Sequence, residues 1–218
     1  AASSLAEADH DYLREAGFFL AKEAAPEFTA MTARTSVRLT DRIGQLLPGM
    51  VYRKATTQAE KAEVYALRYR SCLREGAILP SVAQCLSDRF DDRPNGQTFS
   101  IYLNDKLCGS VRIHVVSRQG DVQNPAKQAL SHILSNAVGK GEIIFDPNRL
   151  TVDQDASRTQ PELAYVVLRL PFISALHFGA DLVTATVRPE QKAFYRRVLR
   201  FEVTSPARSY PALLTPLS

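Results

Sequence analysis

Tryptophan is absent from this chain, methionine occurs twice and cysteine three times in 218 residues. Cys72, Cys85 and Cys108 follow no paired spacing, which argues against a disulfide framework and against a cysteine-built zinc site. Long apolar runs are missing too. The best candidate, YVVLRLPFISALHF, falls short of the ~18–20 residues a bilayer demands and is interrupted by Arg169 and Pro171. The first twenty residues, AASSLAEADHDYLREAGFFL, carry acids early and lack the basic-then-apolar order of a secretion signal, so the expected location is the cytoplasm. No internal repeat or low-complexity tract occurs. A formal net charge of +4 is modest for a dedicated nucleic-acid binder, and no nucleic-acid partner is expected. What is there is an ordinary globular composition, 45% apolar, enough to build a core.

The small positive charge is concentrated. Residues 188–208 hold six basic side chains, Arg188, Lys192, Arg196, Arg197, Arg200 and Arg208, against Glu190 and Glu202, a surplus equal to that of the whole chain. Such a face suits an acidic partner, and it equally suits a solvated helix with extended arginines.

The hydrophobic pattern divides the chain in two. Residues 4–46 read as helical with Pro26 as an internal break, and Pro48-Gly49 mark a boundary, giving a helical extension over 1–48 and a main domain over 49–218. In the main domain MVYRKA reads as a strand. Thr57 then caps a long helix, QAEKAEVYALRYRSCLREG, with Glu60 completing a capping box and Gly76 as the stop. TFSIYLN and KLCGSVRIHVVS flank Asn104-Asp105-Lys106 as a hairpin. After a helical insert, PAKQALSHILSNAV, come strand EIIFDPNRLTV, helix PELAYVVLRLPFISALHFG, strand DLVTATV, helix PEQKAFYRRVL and strand FEVTS.

That order resembles the Gcn5-related N-acyltransferase fold. The segment AFYRRVLRFEV resembles the fold's late FYxxxGF signature, with Phe194, Tyr195 and Phe201 in place and Arg200 where the signature has glycine. Further motifs resemble a narrower branch, the autoinducer synthases and the long-chain N-acyl amino acid synthases. SDRFDD matches its paired aspartates (Asp88, Asp91), GSVRIHV its third-strand arginine (Arg112), FDPNRLTV its fourth-strand acid and arginine (Asp146, Arg149), and Arg68 its first-helix arginine. The resemblance covers roughly residues 50–205. It implies an α/β (α+β) fold with a mixed, mostly antiparallel sheet, fourth and fifth strands splayed, and helices on both faces. Autoinducer synthases follow the first-helix arginine with Phe and Trp; here Cys72 stands at the Phe position and no Trp exists, so the N-acyl amino acid synthases are the nearer match.

The donor implied is an acyl-phosphopantetheine on acyl carrier protein, with no bound cofactor. Coenzyme A users cradle a pyrophosphate on a glycine-rich turn, whereas DQDASRTQPEL contains no glycine. One phosphate would fall to Arg158 and the opening amides of the following helix. Arg188, Lys192, Arg196, Arg197 and Arg200 would dock the acidic carrier. The acceptor is an amino acid, with tyrosine suggested by the resembling family.

Thioester aminolysis needs a neutral amine, yet an α-amine with a pKa near 7.7–8.0 is mostly protonated at neutral pH. Asp146 is the expected base, and Pro147 demands a bulge or an edge in its strand. Amides around Leu150 and Val152 would polarise the thioester carbonyl, and Tyr195 would protonate the leaving thiolate. Arg68, Arg112 and Arg149 are candidates to hold the acceptor carboxylate. Each residue also has a structural reading: Asp146 and Arg149 as a pair across a kinked strand, Asp88 and Asp91 as loop caps, Tyr195, His114 and His177 as packing. Two rival functions stay open, lactone synthesis from S-adenosylmethionine and a non-catalytic module binding acyl carrier protein or nucleic acid through the basic face.

Overall fold

The computed structural model describes residues 38–117 and 123–204, less the side chains of residues 127–130, 132 and 133. They belong to one compact unit that begins at residue 37. Of the helical expectation over 4–46, only α1 (Leu39–Leu46) falls among the described residues; the rest lies outside them. Then follow β1 (Met50–Lys54), α2 (Gln58–Arg74), β2 (Gly96–Leu103), β3 (Lys106–Val116), α3 (Pro125–Lys140) and β4 (Ile144–Val152). The described residues continue through α4 (Gln154–Thr159), α5 (Leu163–His177), β5 (Leu182–Val183) and α6 (Lys192–Val198).

Local signals account for most boundaries. The Thr57 side chain accepts from the Glu60 amide at 3.2 Å and the Glu60 carboxylate accepts from the Thr57 amide at 2.8 Å, so two orphan donors of α2 are satisfied reciprocally. Gly76, at φ +67°, ends that helix in the left-handed region. Asn104 and Asp105 both take positive φ, which matches the right-handed twist of the hairpin they join.

The sheet runs β1-β2-β3-β4-β5, antiparallel except for the parallel β4–β5 pair. β3 is buried on both sides. Its odd residues, Val111 and Ile113, pack against Leu163 and Val167 of α5, each buried aliphatic contributing ~1.5–3 kcal/mol. Its even residues, Ser110, Arg112 and His114, are equally buried on the opposite side. α5 lies close on its face: a Cβ at Gly109 would come within 2.9 Å of Val167 Cγ2 and 3.1 Å of the Thr151 carbonyl. α1 is tied to the start of α5 by an ion pair of 3.0 Å between Arg42 and Glu162.

Two irregularities shape β4. Ser110 pairs with Thr151 and Arg112 with Asn148, so Arg149 and Leu150 together stand opposite Val111, a bulge with Arg149 at φ +52°. β5 pairs with β4 only through Ile144 and Phe145. Beyond that point the strands splay, and Pro147 lies past the last pair, where its missing N–H removes no ladder bond to β5.

Three segments depart from the sequence reading. The glycine-free stretch after β4 contains a helix, α4, because Asp153 caps it by accepting from the amides of Asp155 (3.1 Å) and Ala156 (2.9 Å). Of DLVTATV only Leu182 and Val183 form strand, since Thr184 turns its hydroxyl to Asp146 at 2.9 Å as the chain leaves the ladder. The expected strand FEVTS does not form over 201–204. There Arg200 takes φ +59° and the Phe201 amide bonds back to the Tyr195 carbonyl at 3.2 Å, closing α6 and turning the chain. No helix among the described residues is long and apolar enough to cross a membrane.

Candidate active site

The polar face of β3 carries a buried ionic cluster. Its acids come from the loop after α2, where Asp88 and Asp91 first fix each other. Asp88 Oδ1 accepts from the Phe90 amide at 2.9 Å, and Asp91 Oδ2 from the Asp88 amide at 2.8 Å. Capping and arginine ordering, alternatives in sequence, are thus both carried out by the same two carboxylates. Arg68 reaches Asp91 at 2.7 Å. Arg112 reaches Asp88 at 2.6 Å and Asp91 at 2.9 Å. Arg149 reaches Asp88 at 2.9 Å. Burial by itself would raise the Asp88 carboxyl, but hydrogen bonds and charge from Arg112 and Arg149 outweigh it and hold the group well below the usual carboxylate range.

Asn148 extends the cluster. Its Oδ1 accepts from Arg112 Nε at 2.7 Å, while its Nδ2 donates to His114 Nδ1 at 3.0 Å and to Asp146 Oδ2 at 3.3 Å. With Nδ1 accepting, His114 donates from Nε2 to the Phe90 carbonyl at 3.1 Å. Burial and the neighbouring Arg112 push this neutral imidazole down to about 4. Asp146 is fully enclosed, accepting also from Asn124 (3.1 Å), Thr184 (2.9 Å) and the Ala126 amide. Burial raises its carboxyl, partly opposed by Thr184 and Arg112. Asp146 and Arg149 do not pair with one another.

A cavity of about 540 Å³ opens beside this cluster. Arg68, Asn148 and Arg149 line it on the cluster side, the β4 backbone from Leu150 to Val152 forms a wall, and Phe194 and Tyr195 of α6 face in. Tyr195 packs edge-on with Phe194 (5.6 Å between centroids) and Phe201 (5.8 Å), and burial raises its phenol. One face of α2 runs along the cavity through Arg68, Ser71, Cys72 and Glu75, from the buried Arg68 to Glu75, whose side chain is 45% exposed and pairs with Arg188 at 3.2 Å.

Of the residues singled out in sequence, Arg68, Asp88, Asp91, Arg112 and Arg149 converge, and Asp146 joins them through Asn148. Arg68, Arg149, Leu150, Val152, Arg188 and Tyr195 line the cavity. Asp146 does not, and neither does Arg158, which is exposed beside Asp155 at 3.6 Å. Arg188 pairs with Glu75 at the cavity wall, while Arg196, Arg197 and Arg200 are exposed and Lys192 is half-buried. Sequence reasoning passed over Asn148 and Glu75. Asn148 carried a signal, two residues from Asp146 on the same strand face. Glu75 had one too, seven residues from Arg68 on the same helix face.

The bulged fourth strand, its splay from β5 and the cavity between them are those of the Gcn5-related acyltransferase fold. A family model described as N-acyl amino acid synthase FeeM matches residues 63–218, and the chain belongs to that family. The structure of FeeM, an N-acyl amino acid synthase from uncultured soil microbes, is 19% identical with a TM-score of 0.61, covering 77% of this chain and 87% of that one. The AHL synthase LasI gives 14% identity and a TM-score of 0.49 over 77% and 87% of the two chains. Glucosamine-6-phosphate N-acetyltransferase from Arabidopsis thaliana gives 12% and 0.48 over 74% and 98%. Likeness at that level does not choose between acceptors. No curated protein matches the chain at a significant level.

Proposed function

We propose that this enzyme moves a long-chain acyl group from the phosphopantetheine thioester of an acyl carrier protein to the α-amine of an amino acid. The observation that carries the acceptor is Arg68. Its guanidinium lines the cavity, and its buried Nε has no hydrogen-bond partner among the described residues. An unsatisfied buried donor costs ~1–3 kcal/mol, and an acceptor carboxylate would satisfy it.

The donor side argues for a carrier protein. In Gcn5-related coenzyme A users a pyrophosphate takes open amides at a helix N-terminus. Here Asp153 already occupies the amides of Asp155 and Ala156 and adds negative charge beside them. A single phosphate needs less, and Arg158 is the nearby exposed cation. The amides of Leu150 and Val152 polarise the carbonyl, and Tyr195, kept protonated by burial, donates to the departing sulfur. Asp146, expected from sequence as the base, serves in this reading as the anchor that fixes Asn148 and through it Arg112.

The test is product analysis by mass spectrometry with matched long-chain thioesters of carrier protein and coenzyme A, offered all twenty amino acids plus S-adenosylmethionine. N-acyl amino acid formed faster from the carrier is the expected result. Equal rates with coenzyme A remove the donor argument, and an acyl homoserine lactone transfers the assignment to the rival reading.

A further inference from the structure

Resting on this acyl-transfer reading, we propose that Glu75 is the group that takes the proton from the acceptor's ammonium before the amine attacks the thioester. The reaction cannot start without that step, because an α-amine with a pKa near 7.7–8.0 carries its proton at neutral pH, and a base must lie within reach of it. Among the described residues lining the cavity, Glu75 is the one carboxylate, and no histidine or lysine accompanies it. Cys72 and Tyr195 are also there. Burial raises the Cys72 thiol and keeps it protonated, and Tyr195 already carries the proton the sulfur needs. Asp146 is behind the strand, saturated by four donors.

Position fits the role. Arg68 and Cys72 lie on one face of α2, and Glu75 follows as its C-cap residue, seven residues and about 10 Å along the axis from Arg68. The charges of Arg149, Glu75, Arg188 and Arg68 all act on the Cys72 thiol, and all five residues line the cavity. An amino acid bound in the cavity presents its amine to the space that Glu75 lines. Arg188 pairs with Glu75 at 3.2 Å, and the 45% exposure of the Glu75 side chain opens a way for the proton to reach water.

The protons balance. Glu75 takes one from the ammonium and passes it to solvent; the neutral amine forms the C–N bond to the thioester carbon. The nitrogen then loses its second proton to Glu75 as the C–S bond breaks, the thiolate takes the Tyr195 proton, and the phenolate is restored by the proton Glu75 now holds. One proton reaches solvent and one ends on the pantetheine sulfur.

The experiment measures kcat/KM for the amino acid acceptor, with carrier thioester saturating, from about pH 6 to about pH 9 in wild type, Glu75→Gln, Glu75→Asp and Arg188→Gln, with thermal melts to confirm folding. Glu75→Gln should lose roughly 10²–10⁴-fold near neutral pH. Its deficit should shrink about tenfold per pH unit toward the amine pKa, where the acceptor loses its proton unaided. Glu75→Asp, which keeps a carboxylate, should recover most of the rate, and Arg188→Gln, which leaves Glu75 in place, should lose less than Glu75→Gln. A deficit that stays constant with pH, wild-type rates in Glu75→Gln, or no recovery in Glu75→Asp overturns the assignment, the last serving alone if Glu75→Gln fails to fold. If wild type makes no N-acyl product from any amino acid, the acyl-transfer reading itself falls.

Discussion

Arg149 and Asp88, 61 residues apart in the chain, meet at 2.9 Å, and Asp88 holds Arg112 at 2.6 Å with its other oxygen. Strict alternation along β4 would send Asn148 and Arg149 to opposite faces. The bulge and the positive φ of Arg149 cancel that alternation, so Asn148 and Arg149 both reach the cluster around Arg112. A strained backbone at one residue is what completes the site.

If Asp146 is an anchor, its replacements separate cleanly. In Asp146→Asn the side-chain oxygen can keep the bonds from Asn124 and Asn148 while the new amide faces the Thr184 hydroxyl, which can turn to accept. That variant should keep kcat within about tenfold, whereas Asp146→Ala should raise the acceptor KM by releasing Asn148 and Arg112. Steady-state kinetics decide: a drop of roughly 10²–10⁴ in kcat for Asp146→Asn with an unchanged melt would make Asp146 the base.

His114 predicts an acid-sensitive fold. Its folded pKa, about 4, lies below the unfolded value near 6.5, so on acidification the unfolded chain binds the proton first and stability falls through that window. The Asp146 carboxyl, raised by burial, works in the opposite sense, so the His114 share is read against a His114→Gln variant. Between about pH 7 and about pH 5 wild type should lose about 2 kcal/mol relative to that variant in denaturant titrations. Parallel losses would refute it.

Arg200 occupies a left-handed position where the fold's signature has glycine. Arg200→Gly should stabilise by about 1 kcal/mol, raising Tm by roughly 2–4 °C. An unchanged or lower Tm would show that the arginine side chain offsets its backbone strain.

Charge reversal of the exposed pair Arg196 and Arg197 to glutamate should raise the KM for the carrier thioester at least tenfold and leave a small pantetheine thioester unaffected. The difference should shrink as salt rises past the ~10 Å screening length of 0.1 M. Equal effects on both donors would place the pair outside carrier recognition.

What depended on neighbours in the chain was legible from the residues alone. The Thr57–Glu60 cap, the Gly76 stop, the Asn104-Asp105 turn and the need for an irregularity near Pro147 are set within a few positions, where backbone geometry and side-chain chemistry leave little choice. The cast of the ionic cluster, Asn148 apart, was legible as well, through the motifs that resemble the autoinducer-synthase branch. Which acid meets which arginine was not, since that follows from a bulge two residues beyond the proline and from a loop that Asp88 and Asp91 fold upon themselves. Nor did residue types reveal that Asp146 turns away from the cavity while Glu75 lines it: both are carboxylates, and only the path of α2 past the splayed end of β4 decides which one a substrate can touch.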